Sequence, residues 1–443
     1  MNQLLDESDD PIQNRNPLAP PSGHLIEIIK MNLCIHRGAK EIGGSCVETE
    51  ADSQRLLLDL GLPLDAELGE APLPTISGLE ILDESLLGIA ISHAHLDHYG
   101  LAAKVRQRVP VLIGKGASRI INAARLFFPD APNFLRTIEI KNKKPIALGP
   151  FTITPYLMDH SAYDAYAFLV EANGKKVFYS GDFRSHGRKG ILFEKLLQNP
   201  PKDVDVLLME GSTLGRTGLE NEYPSEDELE VRFIEHFNSA KGMSLVWTSG
   251  QNIDRLVTIY KACRQTGKKF IVDLYTASIL KAINNPNLPQ PGFKDFHVFI
   301  PKFQRILIKK RELFDLPISV AFCRVYPEKF PVLASSSVIL FRPSMARDLE
   351  LAGCLEGANL IYSLWPGYLK DERYHWLNEW LEKHHIPLIH CHTSGHAPVA
   401  DLKRLAKAIS AKRLVPIHSF EPNEYQQLFE NVEVRNDGET WSA

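Results

Sequence analysis

Three histidines and an aspartate fall within the six residues His93-Ala94-His95-Leu96-Asp97-His98. Charged imidazoles so close together would repel one another, and the cluster offers little to an apolar core. Neutral imidazoles beside a carboxylate are instead the donor set of zinc and similar divalent ions. The cluster follows the apolar run Ile89–Ser92, read as a strand, and precedes Gly100 and a helix predicted over about Leu101–Val109, ended by Pro110. Ligands on a strand-to-helix turn can splay to both sides, so one segment can feed two metals.

These groups need elements to hold them. Leu33–Arg37, Cys46–Glu50, Arg55–Leu60, Val111–Ile113, Phe151–Pro155, Ala167–Glu171, Lys176–Ser180 and Val204–Met209 read as short strands between Gly and polar turns. Many short strands with few long helices predict two packed sheets flanked by helices, an αβ/βα sandwich. After about Leu214 the texture changes. A helix over about Ser225–Ala240, a strand at Ser244–Thr248, a helix over Ile253–Thr266 and a strand at Phe270–Leu274 predict a parallel sheet, hence a second α/β domain. Strands at Val338–Phe341 and Leu360–Leu364 close it. The last stretch reads as strands Pro387–His390 and Arg413–Ile417 around a helix at about Ala400–Ile409. The expected division is a disordered tail over 1–30, a first sandwich segment over 31–210, an inserted domain over 211–384 and a return segment over 385–443.

Composition narrows the class. The 443 residues are 44% hydrophobic and 23% charged, which excludes a collagenous, low-complexity or wholly disordered chain. No run of about 18 apolar residues predicts a transmembrane helix. The start of the chain is acidic at Asp6, Glu7, Asp9 and Asp10, unlike a signal peptide, so the expected compartment is the cytoplasm. The six cysteines are scattered without a Cys-x-x-Cys pair, which disfavours a disulfide framework or a Cys-rich zinc module. A net charge of −4 gives no bulk attraction for nucleic acid, although a local basic groove is compatible with it.

The motif His-x-His-x-Asp-His resembles the signature of the metallo-β-lactamase fold. Asp59 after Leu56-Leu57-Leu58, His160 in Met158-Asp159-His160-Ser161, and Asp182 in Ser180-Gly181-Asp182-Phe183-Arg184 resemble that fold's further motifs, in order. Glu210 in Met209-Glu210-Gly211-Ser212-Thr213, His396 in His392-Thr393-Ser394-Gly395-His396-Ala397, and His418 in Pro416-Ile417-His418-Ser419 resemble motifs A, B and C of the β-CASP branch. That branch comprises nucleic-acid-processing nucleases and carries an inserted α/β domain between motifs A and B. The resemblance runs from about Met31 to about Asn423 and is nearest to ribonuclease J-type enzymes and mRNA 3′-end nucleases. The expectation departs from ribonuclease J in the absence of that family's C-terminal domain, and from some archaeal relatives in the absence of a KH-type extension.

What the resemblance implies is a two-metal phosphodiesterase. His93, His95 and His160 would hold one zinc, Asp97, His98 and His418 the other, and Asp182 would bridge. Mostly imidazole ligands favour zinc over magnesium, with manganese as an alternative. Two metals about 3.5–4 Å apart activate a water and neutralise phosphate oxygens, which suits in-line attack on a phosphodiester. His396, held by Glu210, would be the general acid, and Asp59 would orient a ligand without touching metal. His392, Ser394 and Gly395 are candidate phosphate contacts. So are Ser249 and Asn252, in a Ser249-Gly250-Gln251-Asn252 turn that opens a helix. Lys302, Arg305 and Lys309 share a helical spacing that would suit a basic groove or plain solvation. A histidine at motif C leans towards RNA, so the expected partner is single-stranded RNA, without a membrane and with a homodimer as one arrangement. The rival readings are a DNA nuclease of the same branch, a small-molecule hydrolase, and an RNA-binding partner subunit without chemistry. His24, His36, His186, His236, His384 and His385 read as surface or capping residues, and His390 is ambiguous.

Overall fold

A computed structural model describes residues 30–443 apart from 68, 82, 106–108, 129 and 216–221. The tail expected over 1–30 lies outside the described residues except at Lys30. The chain first lays down β1 (Met31–Arg37), β2 (Cys46–Ala51), β3 (Gln54–Leu58), β4 (Leu86–Ala90), β5 (Val111–Gly114) and β6 (Thr137–Ile140), which pair side by side in that order. It then builds a second sheet from β7 (Ile146–Leu148), β8 (Phe151–Met158), β9 (Ala165–Ala172), β10 (Lys175–Tyr179) and β11 (Val206–Glu210). A third sheet follows, from β12 (Ser244–Trp247), β13 (Lys269–Asp273), β14 (Phe296–Phe299), β15 (Arg324–Val325), β16 (Ser337–Leu340), β17 (Asn359–Tyr362) and β18 (Leu388–His390). The chain finally returns: β19 (Arg413–Ile417) lies beside β11, and β20 (Thr440–Ser442) lies beside β1.

Alternation decides which faces meet. On β1, Leu33 and Ile35 point one way, and on β8, Phe151 and Ile153 do the same. With Leu56, Leu58, Phe168, Val170, Leu208 and Val415 they form the dry layer between the first two sheets. The outer face of the first sheet, with Ile89, Ile91 and Ile113, is covered by helix Lys115–Ala124 through Ile120 and Ile121. The outer face of the second, with Phe178, Leu207 and Met209, is covered by Phe193, Leu196, Leu402 and Leu405 from helices Ile191–Gln198 and Val399–Ile409. Two apolar-faced sheets that each need a second cover give the αβ/βα sandwich.

The third sheet is parallel throughout, in the order β15-β14-β13-β16-β12-β17-β18. Both of its faces are buried, and its strands are accordingly continuous apolar runs. Helices Glu226–Ser239 and Ile253–Thr266 cover one face, and Leu349, Leu377 and Trp380 cover the other. The first of these helices begins at a reciprocal Ser225/Glu228 capping box. The second ends at Gly267 in the left-handed region (φ 68°). One buried cluster runs from Ile113 and Ile120 to Ile279 and Ile283, so the sandwich and the third sheet share a core.

Two expectations need correction. Where a helix is expected over Leu101–Val109, the described residues form a 3₁₀ turn at Gly100–Lys104, after a single α-turn at Leu96–Tyr99, while residues 106–108 of that span lie outside the described residues. The Leu101 N–H donates to Leu60 O rather than to its own helix, and a Cβ at Gly100 would lie 2.6 Å from Leu62 Cβ. The backbone there is pressed onto the β3 loop. Residues Pro387–His390, assigned above to the return segment, pair in parallel with β17, so the third sheet continues past residue 384. Strand pairing is non-local, and nothing in a three-residue strand announces its neighbour.

Candidate metal centre and active site

Six of the motif residues stand at or just past the carboxyl end of a strand. Asp59 follows β3, His93 follows β4, His160 follows β8, Asp182 follows β10, Glu210 ends β11, and His418 follows β19. β3 and β4 run parallel, as do β10, β11 and β19, so these ends gather along one edge of the sandwich. Two non-glycine residues there adopt left-handed backbone, Asp59 (φ 61°) and His418 (φ 51°). Such conformations cost about 1–3 kcal/mol and persist where the surroundings over-determine them.

Three groups of donors converge, each with its atoms within 4.8 Å of one another: His93, His95 and His160; Asp97, His98, Asp182 and His418; and Asp182, Glu210 and His396. In the first, His95 Nδ1 lies 3.2 Å from both His93 Nε2 and His160 Nε2. Burial, reinforced by neighbouring histidines, holds His93 and His160 well below the usual imidazole range, and burial takes His95 down to about 4. All three rings are therefore neutral, as metal ligands must be. In the second group, Asp182 Oδ2 lies 3.1 Å from His98 Nε2 and 3.8 Å from His418 Nε2. Asp182 also faces the first group, 3.8 Å from His93 Nε2. His418 Nε2 and Asp182 Oδ1 are buried without a hydrogen-bond partner among the described residues. Orphaned lone pairs in a nitrogen-and-carboxylate cluster are what a divalent cation satisfies, so the residues fit one.

Outer contacts set the ring orientations. Asp59 Oδ2 sits 2.7 Å from His98 Nδ1, which leaves His98 Nε2 for the cluster. Asp59 also accepts from Ser92 N (2.6 Å), Ser92 Oγ (2.7 Å) and Tyr179 OH (2.6 Å), and it joins none of the three groups. Ser45 Oγ does the same for His418, at 2.7 Å from Nδ1. Burial disfavours charge on His98, but Asp182, Asp97 and Asp59 outweigh it and raise its pKa well above the usual range, so a cation binding at Nε2 would displace a proton there.

His396 has its side chain one-quarter exposed. Its Nδ1 lies 3.4 Å from Glu210 Oε1 and 3.6 Å from Asp182 Oδ2. Burial works against its charge, yet the Glu210 and Asp182 carboxylates outweigh that and push its pKa up to about 9. Glu210 is itself held by Phe183 N, Ser212 N and Ser212 Oγ.

The remaining site candidates are placed differently. Ser394 Oγ accepts from the His396 N–H at 3.0 Å, inside its own loop. A Cβ on Gly395 would lie 2.6 Å from Ser161 Oγ, so the close approach that glycine permits is to the His160 segment. Burial and the nearby Arg255 charge push His392 down to about 3, which leaves a neutral ring. Asn252 Oδ1 accepts from Arg255 N and caps the helix at Ile253, while Ser249 Oγ accepts from Gln251 N within the turn before it. Lys302, Arg305 and Lys309 share the exposed face of helix Lys302–Lys310, where Arg305 pairs with Asp348. Three histidines read as surface or capping residues are paired: His36 with Glu48 (3.4 Å), His384 with Glu350 (2.8 Å), and His186 with the Ser394 carbonyl (2.9 Å). Ser45, Ser92, Tyr179 and Arg184 are given no role in the sequence reading, and His186 is read there only as a surface or capping residue. Only Ser45 carries a local signal, the Gly43-Gly44 turn before it.

Comparison with known proteins agrees with this arrangement. Residues 68–231 match the family model described as the Beta-lactamase superfamily domain. A ribonuclease J of Helicobacter pylori (strain ATCC 700392 / 26695) is 26% identical over 264 residues, covering 56% of this chain and 37% of that protein. A ribonuclease J of Synechocystis sp. is 25% identical over 409 residues, covering 86% of this chain and 59% of that protein. An RNase J-like protein of Methanocaldococcus jannaschii is 27% identical over 259 residues, covering 55% of this chain and 58% of that protein. The chain thus spans less than two thirds of the curated relatives it matches. A crystal structure of a protein of unknown function from Enterococcus faecalis V583 superposes with a TM-score of 0.76 at 19% identity, covering 94% of this chain and 100% of that one. The chain resembles the metallo-β-lactamase superfamily in its β-CASP, ribonuclease J-type branch, and it has that superfamily's αβ/βα fold.

Proposed function

We propose that this protein is a metal-dependent nuclease that hydrolyses phosphodiester bonds of single-stranded RNA. The observation that carries the reading is the His396–Glu210 pair, set 3.6 Å from the carboxylate shared by two donor clusters. A small-molecule hydrolase with a good leaving group has no need of such an acid. The likeness to ribonucleases J supports RNA as the substrate class.

In this reading His93, His95 and His160 hold one divalent ion, Asp97, His98 and His418 hold a second, and Asp182 lies between them. Zinc suits the imidazole-rich set, with manganese as the alternative. Bound there, such ions supply Lewis acidity at the phosphate and an activated water. The chain's own residues do the rest. His396, protonated at neutral pH, gives its proton to the leaving ribose oxygen as the bond to phosphorus breaks. Glu210 orients that ring and stabilises its charged form. Asp59 and Ser45 hold His98 and His418 in the tautomer that turns Nε2 inward.

The test uses metal-replete protein and one labelled single strand, made as RNA and as DNA, with a 5′-monophosphate or a 5′-hydroxyl. Cleavage of RNA but not DNA is expected, with turnover falling about 10²–10⁴-fold in His396→Ala. Mononucleotides from the phosphorylated end alone would indicate exonuclease action, and internal fragments endonuclease action. Preferential cleavage of DNA would transfer the reading to a DNA nuclease. Undiminished turnover in His396→Ala with lowered stability would reduce that pair to a structural contact.

A further inference from the structure

One short loop after β10 touches every part of the centre. Asp182 is the shared carboxylate, and the Phe183 N–H donates to Glu210 Oε1 at 3.2 Å. The next two side chains that point inward, Arg184 and His186, meet at a single atom 208 residues or more away. Arg184 Nη1 donates to the Ser394 carbonyl at 3.0 Å, and His186 Nε2 lies 2.9 Å from the same oxygen. A carbonyl oxygen accepts only, so His186 must carry its proton on Nε2.

Arg184 is fully buried and held from three directions: Asp254 at 2.8 Å, Glu226 at 3.5 Å and Asp159 at 3.6 Å. Its partners open two helices of the third-sheet unit and precede His160. The residue after Ser394, Gly395, is pressed against Ser161. The loop is therefore held by two separate segments of the chain. Two residues past the gripped carbonyl stands His396, whose backbone N–H donates to Ser394 Oγ.

We propose that Arg184 and His186 are positioning residues that aim His396, by clamping the Ser394 carbonyl from the same loop that carries Asp182. The clamp rests on the reading of His396 as the proton donor. It makes the position of the acid depend on the shared carboxylate's own loop. It also makes it depend on docking of the third-sheet unit, through Asp254 and Glu226. Neither residue touches substrate.

The experiment compares His186→Phe and Arg184→Lys with the parent chain, metal-replete, on two diesters. One is the single-stranded RNA. The other is bis(p-nitrophenyl) phosphate, whose leaving group departs without a proton. The expected result is a fall of about 10–100-fold in kcat on RNA with KM within about twofold. Rates on the nitrophenyl diester should stay within about twofold, with bound metal unchanged. In crystal structures of the variants, the Ser394 carbonyl and the His396 ring should be displaced from Glu210. Equal losses on both diesters, lost metal, or unchanged turnover on RNA would each overturn the clamp. Arg184→Lys places a smaller cation among three carboxylates and is the variant at risk of misfolding. His186→Phe keeps an aromatic ring, larger than imidazole, and removes the donor at Nε2. If the parent chain cleaves no RNA, the nuclease reading fails. The position of His396 in the His186→Phe crystal structure then still decides the clamp.

Discussion

Asp59 shows how a single carboxylate can govern a centre it does not join. Four contacts reach it, from Ser92 N, Ser92 Oγ, Tyr179 OH and His98 Nδ1, all between 2.6 and 2.7 Å. With Nδ1 committed there, His98 presents Nε2 to the donors around Asp182. Asp59→Asn keeps the shape but replaces one acceptor oxygen with a donor. We expect metal affinity to fall about 10–100-fold, read by competition with a chromophoric chelator. Unchanged affinity in Asp59→Asn would remove the orienting role. Gly61 works at the same scale by being small: a Cβ there would lie 1.7 Å from the Asp97 carbonyl. Any side chain at that position would push Asp97 and His98 off the cluster.

At the scale of elements, strand direction gathers the site and helix N-termini lock its far side. Glu226 opens helix Glu226–Ser239 and accepts from Arg255 through both oxygens, while Arg184 stands 3.5 Å away. Burial alone would raise the Glu226 pKa, but the Arg255 and Arg184 charges outweigh it and hold it at about 2, against an ordinary 4.5. A folded-state pKa below the unfolded one adds stability above the unfolded pKa, and that stability is lost as pH falls through the folded value. The contribution is therefore complete above pH 4.5 and gone near pH 2, with a size of about 3 kcal/mol. Denaturant unfolding of the parent chain and Glu226→Gln should differ most near neutrality, and the gap should close between those limits. A gap that stays constant with pH would show that the charge is not what stabilises this end of the helix.

Across the whole molecule, the donor clusters join ends of both sandwich sheets, and a common core ties the sandwich to the third sheet. Ions bound to the clusters would cross-link β4, β8, β10 and β19 in the folded state only. A ligand of the native state stabilises it by mass action, about 2.7 kcal/mol at a hundredfold excess over Kd. Chelation should then lower the first unfolding transition by at least a few degrees, and added zinc or manganese should restore it. An unfolding temperature indifferent to chelator would count against metal at this edge. No helix among the described residues is long and apolar enough to cross a membrane.

What could be read from the sequence was what lies close along the chain. His93, His95, Asp97 and His98 are ligand types within six residues, and their meaning survives without a fold. The helix over Ile253–Thr266 and the helix from Ser225 announce themselves through periodicity and caps, which are local physics. Long-range contacts left no such trace. The pairing of Leu388–His390 with β17, the meeting of Arg184 and His186 at Ser394, and the pairing of His36 with Glu48 join residues whose partners only the fold supplies. The 3₁₀ turn at Gly100 likewise follows from contact with Leu60 and Leu62, not from its own residues. The sequence by itself determined which chemistry is present and the class of elements that carry it, because residue type and local periodicity are intrinsic to the chain. Only the tertiary structure decided orientation and charge. Those depend on burial and on neighbours that are adjacent in space and far apart in sequence.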